Sequence, residues 1–130
     1  MSETIRTLIV ETDPETVRQV DILGRQTGTV DIRWRVPTIT EGAEIVRKFH
    51  PDMAIIGVNG DPARTIGPLA KEFPHLYILA LSDLRDGDYV LQAMRAGAHD
   101  LLSRPVREVD LRIAAEKARR VRLRKDPVER

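Results

Sequence analysis

Few side chains in this sequence have the type and spacing to do chemistry, and those few gather where short apolar runs end. Glu11, Thr12 and Asp13 follow the run at residues 5–10, Gly57 follows residues 53–56, Ser82 follows residues 76–81, and Arg104 follows residues 100–103. Oxygen ligands such as Glu11 and Asp13 are the kind that hold hard cations. Arg104 could clamp a carboxylate or a phosphate through its planar fork. Gly57 brings no functional group. Asp13 stands before Pro14, the order of a cap residue and a first-turn proline, and capping is the role assigned to it. Ser82 has no histidine beside it and no G-x-S-x-G elbow around it, so nucleophilic catalysis has no support. The absence of cysteine excludes disulfides, thiolate nucleophiles and Cys-based zinc sites. His50, His75 and His99 lie far apart, two of them beside prolines. They read as loop residues, and no metal or cofactor is expected.

The bulk composition is that of a modest globular domain. A chain of 130 residues is long enough for one real core and too short for two. Its apolar fraction of 42% and charged fraction of 32% are those of a globular protein. The net charge of +1 conceals an asymmetry, because Lys117, Arg119, Arg120, Arg122, Arg124 and Lys125 follow one another with no acid between them. The first residues lack the basic-then-apolar order of a signal peptide. Apolar runs of about six residues fall well short of the ~20 a spanning helix needs. A cytoplasmic location without membrane insertion is the expectation.

The elements that must position these residues are legible from punctuation and period. Residues 5–10 form an apolar strand, and residues 14–26 a helix with Val17, Val20, Ile22 and Leu23 inward, closed by Gly24 and Gly28. Residues 30–36 alternate Val30, Ile32, Trp34 and Val36 against Asp31, Arg33 and Arg35, which predicts a one-faced strand at a sheet edge with Trp34 in the core. Thr38 or Thr40 could cap the next helix, Thr38 having capping-box spacing to Glu41, and that helix buries Ile45, Val46 and Phe49 and stops ahead of Pro51. Residues 53–58 read as a strand buried on both faces. Asp61-Pro62 repeats the cap-plus-proline start of a helix bearing Ile66, Leu69, Ala70 and Phe73, with a kink expected at Gly67-Pro68. A strand at residues 76–81, a helix at residues 86–96 ending on Gly97, a short strand at residues 100–103 and a final helix beyond Pro105 complete the chain. Strands alternating with helices predict an α/β fold, a parallel sheet covered on both faces.

This order of elements, with the stretches Leu8-Ile9-Val10-Glu11-Thr12-Asp13-Pro14, Pro51-Asp52-Met53-Ala54-Ile55-Ile56, Leu79-Ala80-Leu81-Ser82, Ala93-Met94-Arg95-Ala96-Gly97-Ala98 and Ser103-Arg104-Pro105-Val106, resembles the CheY-like receiver domain of bacterial response regulators. The resemblance implies a (βα)5 doubly wound sheet of order 2-1-3-4-5, with its pocket at the carboxyl ends of the strands. It also implies a Mg²⁺-assisted phosphoacceptor site, and there this sequence departs from the pattern. The second acid after the first strand is Thr12, the acceptor aspartate is Gly57, and the phosphate-contacting lysine is Arg104, while the hydroxyl residue is kept as Ser82. A pocket with one reliable carboxylate and no acceptor oxygen has neither nucleophile nor charge neutralisation for phosphoryl transfer. Glu11 and Arg104, from the ends of the first and fifth strands, are expected to meet above Gly57 as an ion pair. The segment Asn59-Gly60-Asp61-Pro62-Ala63, with residues 90–98, is similar to the atypical receiver domain that fronts CpaE/TadZ-type pilus-assembly proteins and helps to place them at the cell pole.

Three readings follow. The leading one is a phosphorylation-independent pseudo-receiver, a protein–protein interaction or localisation module in signal transduction or pilus assembly. Its domain spans residues 1–121, with residues 122–130 as a basic tail or linker start. The resemblance puts its contact surface, and a homodimer among its partners, on the fourth helix, fifth strand and fifth helix. Candidate contacts are Tyr89, Gln92, Arg95, His99, Arg107 and Arg112, with Tyr89 and Arg95 as anchors. The second reading, a phosphoaccepting regulator, needs an acceptor other than Gly57. The third, nucleic-acid binding through the basic run, lacks interleaved aromatic residues and a recognition helix, and no specific nucleic acid is expected.

Overall fold

The computed structural model describes residues 4–84 and 86–128, with side chains as far as residue 121. Its elements are β1 (Ile5–Val10), α1 (Pro14–Thr27), β2 (Val30–Val36), α2 (Ile39–Phe49), β3 (Met53–Gly57), α3 (Pro62–Thr65), α4 (Gly67–Glu72), β4 (Tyr77–Ser82), α5 (Gly87–Ala96), β5 (Asp100–Ser103) and α6 (Glu108–Val128). The strands pair in parallel in the order β2-β1-β3-β4-β5. Parallel strands covered on both faces must be apolar throughout. The buried runs Met53 to Ile56 and Tyr77 to Leu81 meet that demand.

Two apolar layers sandwich the sheet. On one side Ile5, Ile9, Ile55 and Leu79 meet Val20 of α1 and Leu111, Ala114, Ala115 and Ala118 of α6. On the other, Leu8, Ala54, Ile56 and Ile78 meet Val46 of α2, Ile66, Leu69 of α4, and Tyr89 and Ala93 of α5. The alanine stripe lets α6 lie close to the strands.

Local chemistry sets the element ends. The Thr38 hydroxyl accepts from the Glu41 amide at 3.2 Å, the Asp61 carboxylate from the Ala63 amide at 3.1 Å, and the Asp86 carboxylate from the Tyr89 amide at 3.0 Å. The helix expected after Asp61 is two pieces, because Pro68 has no amide hydrogen to continue the ladder. Three expectations need correction. Ile22 is exposed, because two residues beyond buried Val20 is about 200° around a helix. Phe49 is exposed too; it stacks on Trp34 with ring centroids 5.5 Å apart at the open sheet edge, so Trp34 is only half-buried. The β2 strand is not one-faced. Its register against β1 slips by one between Thr7 and Leu8, leaving Arg33 as an extra residue. Val30 and Ile32 therefore face α1 and α6, whereas Trp34 and Val36 face α2. Helix α6 runs on through Val128. The side chains of residues 122–130 lie outside the described residues.

Candidate functional site

The carboxyl ends of β1, β3, β4 and β5 bring Glu11, Gly57, Ser82 and Arg104 to one edge of the sheet. The Arg104 guanidinium donates through Nη2 to Glu11 Oε1 at 2.6 Å, across 93 residues of sequence. The second oxygen of Glu11 accepts from the Asp13 amide at 2.9 Å. Both carboxylate oxygens are therefore fixed, and the side chain is only 2% exposed against 14% for Arg104. Nη1 of Arg104 lies 3.6 Å from the Asp83 carboxylate, which stands in solvent. One guanidinium thus ties the loops that follow β1, β4 and β5.

Gly57 lies beneath this pair, and its missing side chain is what gives the pair room. A Cβ at position 57 would fall 2.1 Å from Glu11 Oε1 and 3.1 Å from Arg104 Nη2. No real contact is so short, so a side chain at 57 and the ion pair are alternatives. The expected pair is present, and it fills the space that an acceptor side chain would take.

The other expected residues are spread around this plug. Ser82 is buried, and its hydroxyl accepts from the Leu84 amide at 3.0 Å. Asp13 stands at the N-cap position of α1 in extended backbone, with its carboxylate held by the Thr16 hydroxyl at 2.7 Å. That bond, foremost, keeps the Asp13 carboxyl below the usual carboxylate range. Thr12 is exposed beside the plug. These residues do not fit a Mg²⁺ site, because the one buried carboxylate is spent on a guanidinium and Thr12 and Gly57 supply no charge. Among the described residues no group of three or more His, Asp or Glu is arranged to hold a metal ion.

One of the expected surface contacts is misplaced. Tyr89 is buried, its hydroxyl donating to the Gly60 carbonyl at 3.0 Å, so it anchors the loop after β3 and presents nothing to a partner. His99 is exposed as expected, with its Nδ1 accepting from the Ile78 amide at 3.1 Å and its ring stacked on Tyr77 at 4.5 Å. Gln92, Arg95, Arg107 and Arg112 are exposed as expected, Arg112 bonded to Glu108 at 3.1 Å. Sequence reasoning missed Leu84, Leu91, Met94, Val109 and Ile113, large apolar side chains left in solvent on α5, α6 and the loop before α5. Counting helical phase outward from Ala93 and from Leu111 would have found the helical ones.

The basic run carries less free charge than its composition suggests. Lys117 reaches Asp100 at 3.3 Å and Arg119 reaches Glu116 at 3.7 Å.

Five parallel strands in this order, helices on both faces and a site on the carboxyl edge make this a CheY-like receiver fold. Comparison with solved structures bears this out. The signal receiver domain of the response regulator NarL from Mycobacterium tuberculosis matches with a TM-score of 0.79 at 18% identity, covering 91% of this chain and 98% of that one. A protein described as pilus assembly-related from Burkholderia pseudomallei matches at 0.80 and 20%, covering 91% of each chain. The pilus assembly protein CpaE of Burkholderia thailandensis matches at 0.75 and 23%, covering 89% and 98%. At such identities the likeness is one of fold. No family model and no curated protein matches the sequence. Among the described residues no helix is long and apolar enough to cross a membrane.

Proposed function

We propose that this chain is a pseudo-receiver that works without phosphorylation, as an interaction or localisation module. The observation that carries the reading is the buried Glu11–Arg104 pair in the space of a side chain at 57. A glycine there gives phosphoryl transfer no acceptor, and the pair holds the edge in one charge arrangement. Such a module conveys information by shape and contact. The surface best suited to contact is the one bordered by α5, edge strand β5 and α6. Leu91 and Met94 stand exposed on one helix, and Val109 and Ile113 on the other. Ile113 lies one turn before Lys117, which reaches Asp100 of β5, so it belongs to the β5 side of α6. Exposed apolar side chains grouped in this way favour a protein partner or self-association.

Two structural neighbours described as pilus assembly proteins support pilus assembly as the setting. Residues 1–121 form the interacting domain in this reading, and the helix beyond them is the start of a connection. Nucleic-acid binding is disfavoured by the ion pairs that occupy Lys117 and Arg119. The test is incubation with acetyl phosphate and Mg²⁺, followed by intact-mass measurement. No phosphoryl adduct is expected, and an acid-labile adduct on any aspartate would sink the reading.

A further inference from the structure

The plug closes one side of the carboxyl edge and leaves the other open. A cleft of about 320 Å³ lies beside it, bordered by the ends of β1 and β3, the β2–α2 turn and α3. None of its lining residues comes from β4 or β5, so it is separate from the Arg104–Asp83 side of the plug. It sits where the crossovers from β1 and β2 pass to opposite faces of the sheet, with α1 against one apolar layer and α2 against the other. In open α/β sheets this switch point is where a crevice for ligands forms.

We propose that this cleft binds a small uncharged molecule bearing hydroxyl or amide groups, of nucleoside size or less. Its volume is near the lower end of ligand pockets, roughly 300 Å³ and upward. Part of its lining is apolar, from Val10, Pro37 and Ile39, and part is polar, from Thr12, Asn59 and Thr65. Thr12 and Asn59 are exposed, and among the described residues their side chains make no hydrogen bond within the chain. They are free to donate and to accept. The charge balance selects against ions. No cationic side chain lines the cleft, so a phosphate finds no counter-charge, and the Glu11 carboxylate is already matched by Arg104. That carboxylate still has lone pairs beyond its two bonds and can accept from a ligand hydroxyl or amide.

Occupancy also has a route to α5. Gly60 lines the cleft, and its carbonyl is the acceptor for Tyr89 of α5.

The proposal is tested by titrating the ¹⁵N-labelled full chain with adenosine, uridine, glucose and nicotinamide, beside AMP, UMP and glucose 6-phosphate. At least one uncharged probe moves the Thr12, Gly57, Asn59, Gly60 and Thr65 amides, with a Kd below about 1 mM. A phosphorylated counterpart binds roughly tenfold more weakly or worse. Ile39→Trp, which fills the cleft from α2, and Thr12→Trp, which fills it from the exposed rim, each abolish the shifts. The idea is overturned if no uncharged probe shifts those amides, if the phosphate esters bind as well, or if the shifts survive in whichever Trp variants fold.

Discussion

Gly57 and Glu11 exchange roles with the residues that surround them. A buried carboxylate needs its charge met and each oxygen bonded, and Arg104 with the Asp13 amide supplies both. Removing either partner strands the other in a dry site. Arg104→Met is expected to cost about 3 kcal/mol of folding stability. Combining it with Glu11→Leu should cost less than the two single changes added, with a coupling of about 2 kcal/mol. Urea unfolding of the four proteins checks this, and a coupling below about 0.5 kcal/mol would mean that the pair is a surface ornament. Gly57→Ala should be destabilising by about 2 kcal/mol although alanine is the smaller perturbation, because both oxygens of Glu11 are held and cannot retreat. In an Arg104→Met background the same change should cost clearly less.

At the scale of elements, sequence and structure agree at most of the positions where local chemistry decides. The caps at Thr38 and Asp61 and the split at Gly67-Pro68 depend on neighbours within a turn, so they were legible. Asp13 stands at its N-cap position, but its carboxylate makes no cap bond and is held by the Thr16 hydroxyl instead. The Asp86 cap was not foreseen. The bulge at Arg33 was not legible either, because register is a property of two strands and the alternation within β2 is undisturbed. The end of α5 shows the two influences together. Gly97 has a φ of 122°, and a Cβ there would lie 2.4 Å from Ala70 Cβ, whereas Gly28 at φ 74° has open space around it. Gly28→Ala should therefore cost about 1 kcal/mol, the backbone term alone. Gly97→Ala should cost about 2 kcal/mol or more, since packing against α4 is added. Equal losses in thermal unfolding would remove the close approach as the reason.

Across the whole molecule, the question is which surface meets a partner. Leu91→Asp and Ile113→Asp together are expected to weaken self-association or partner capture at least tenfold, by sedimentation or pull-down, with unchanged circular dichroism. Ile22→Asp, on the solvent face of α1, is the control and should leave association intact. Loss in the control, or none in the double variant, would move the interface elsewhere. Tyr89 illustrates why this surface was only partly readable. Aromatic and interfacial in type, it sits one turn into α5, yet its hydroxyl is claimed by Gly60, 29 residues away.

By itself the sequence determined the element types and the caps at Thr38 and Asp61, because these follow from period, punctuation and the chemistry of single residues. The strand order and the meaning of Gly57 as an acceptor position came through the resemblance to receiver domains. Tertiary structure alone decided that Glu11 and Arg104 are close enough to exclude any side chain at 57. It also decided which face each half of β2 presents, and that Tyr89 turns inward while Leu91 and Met94 turn out. Each of these depends on distances between segments remote along the chain, and such distances exist only once the sheet has brought its strand ends together.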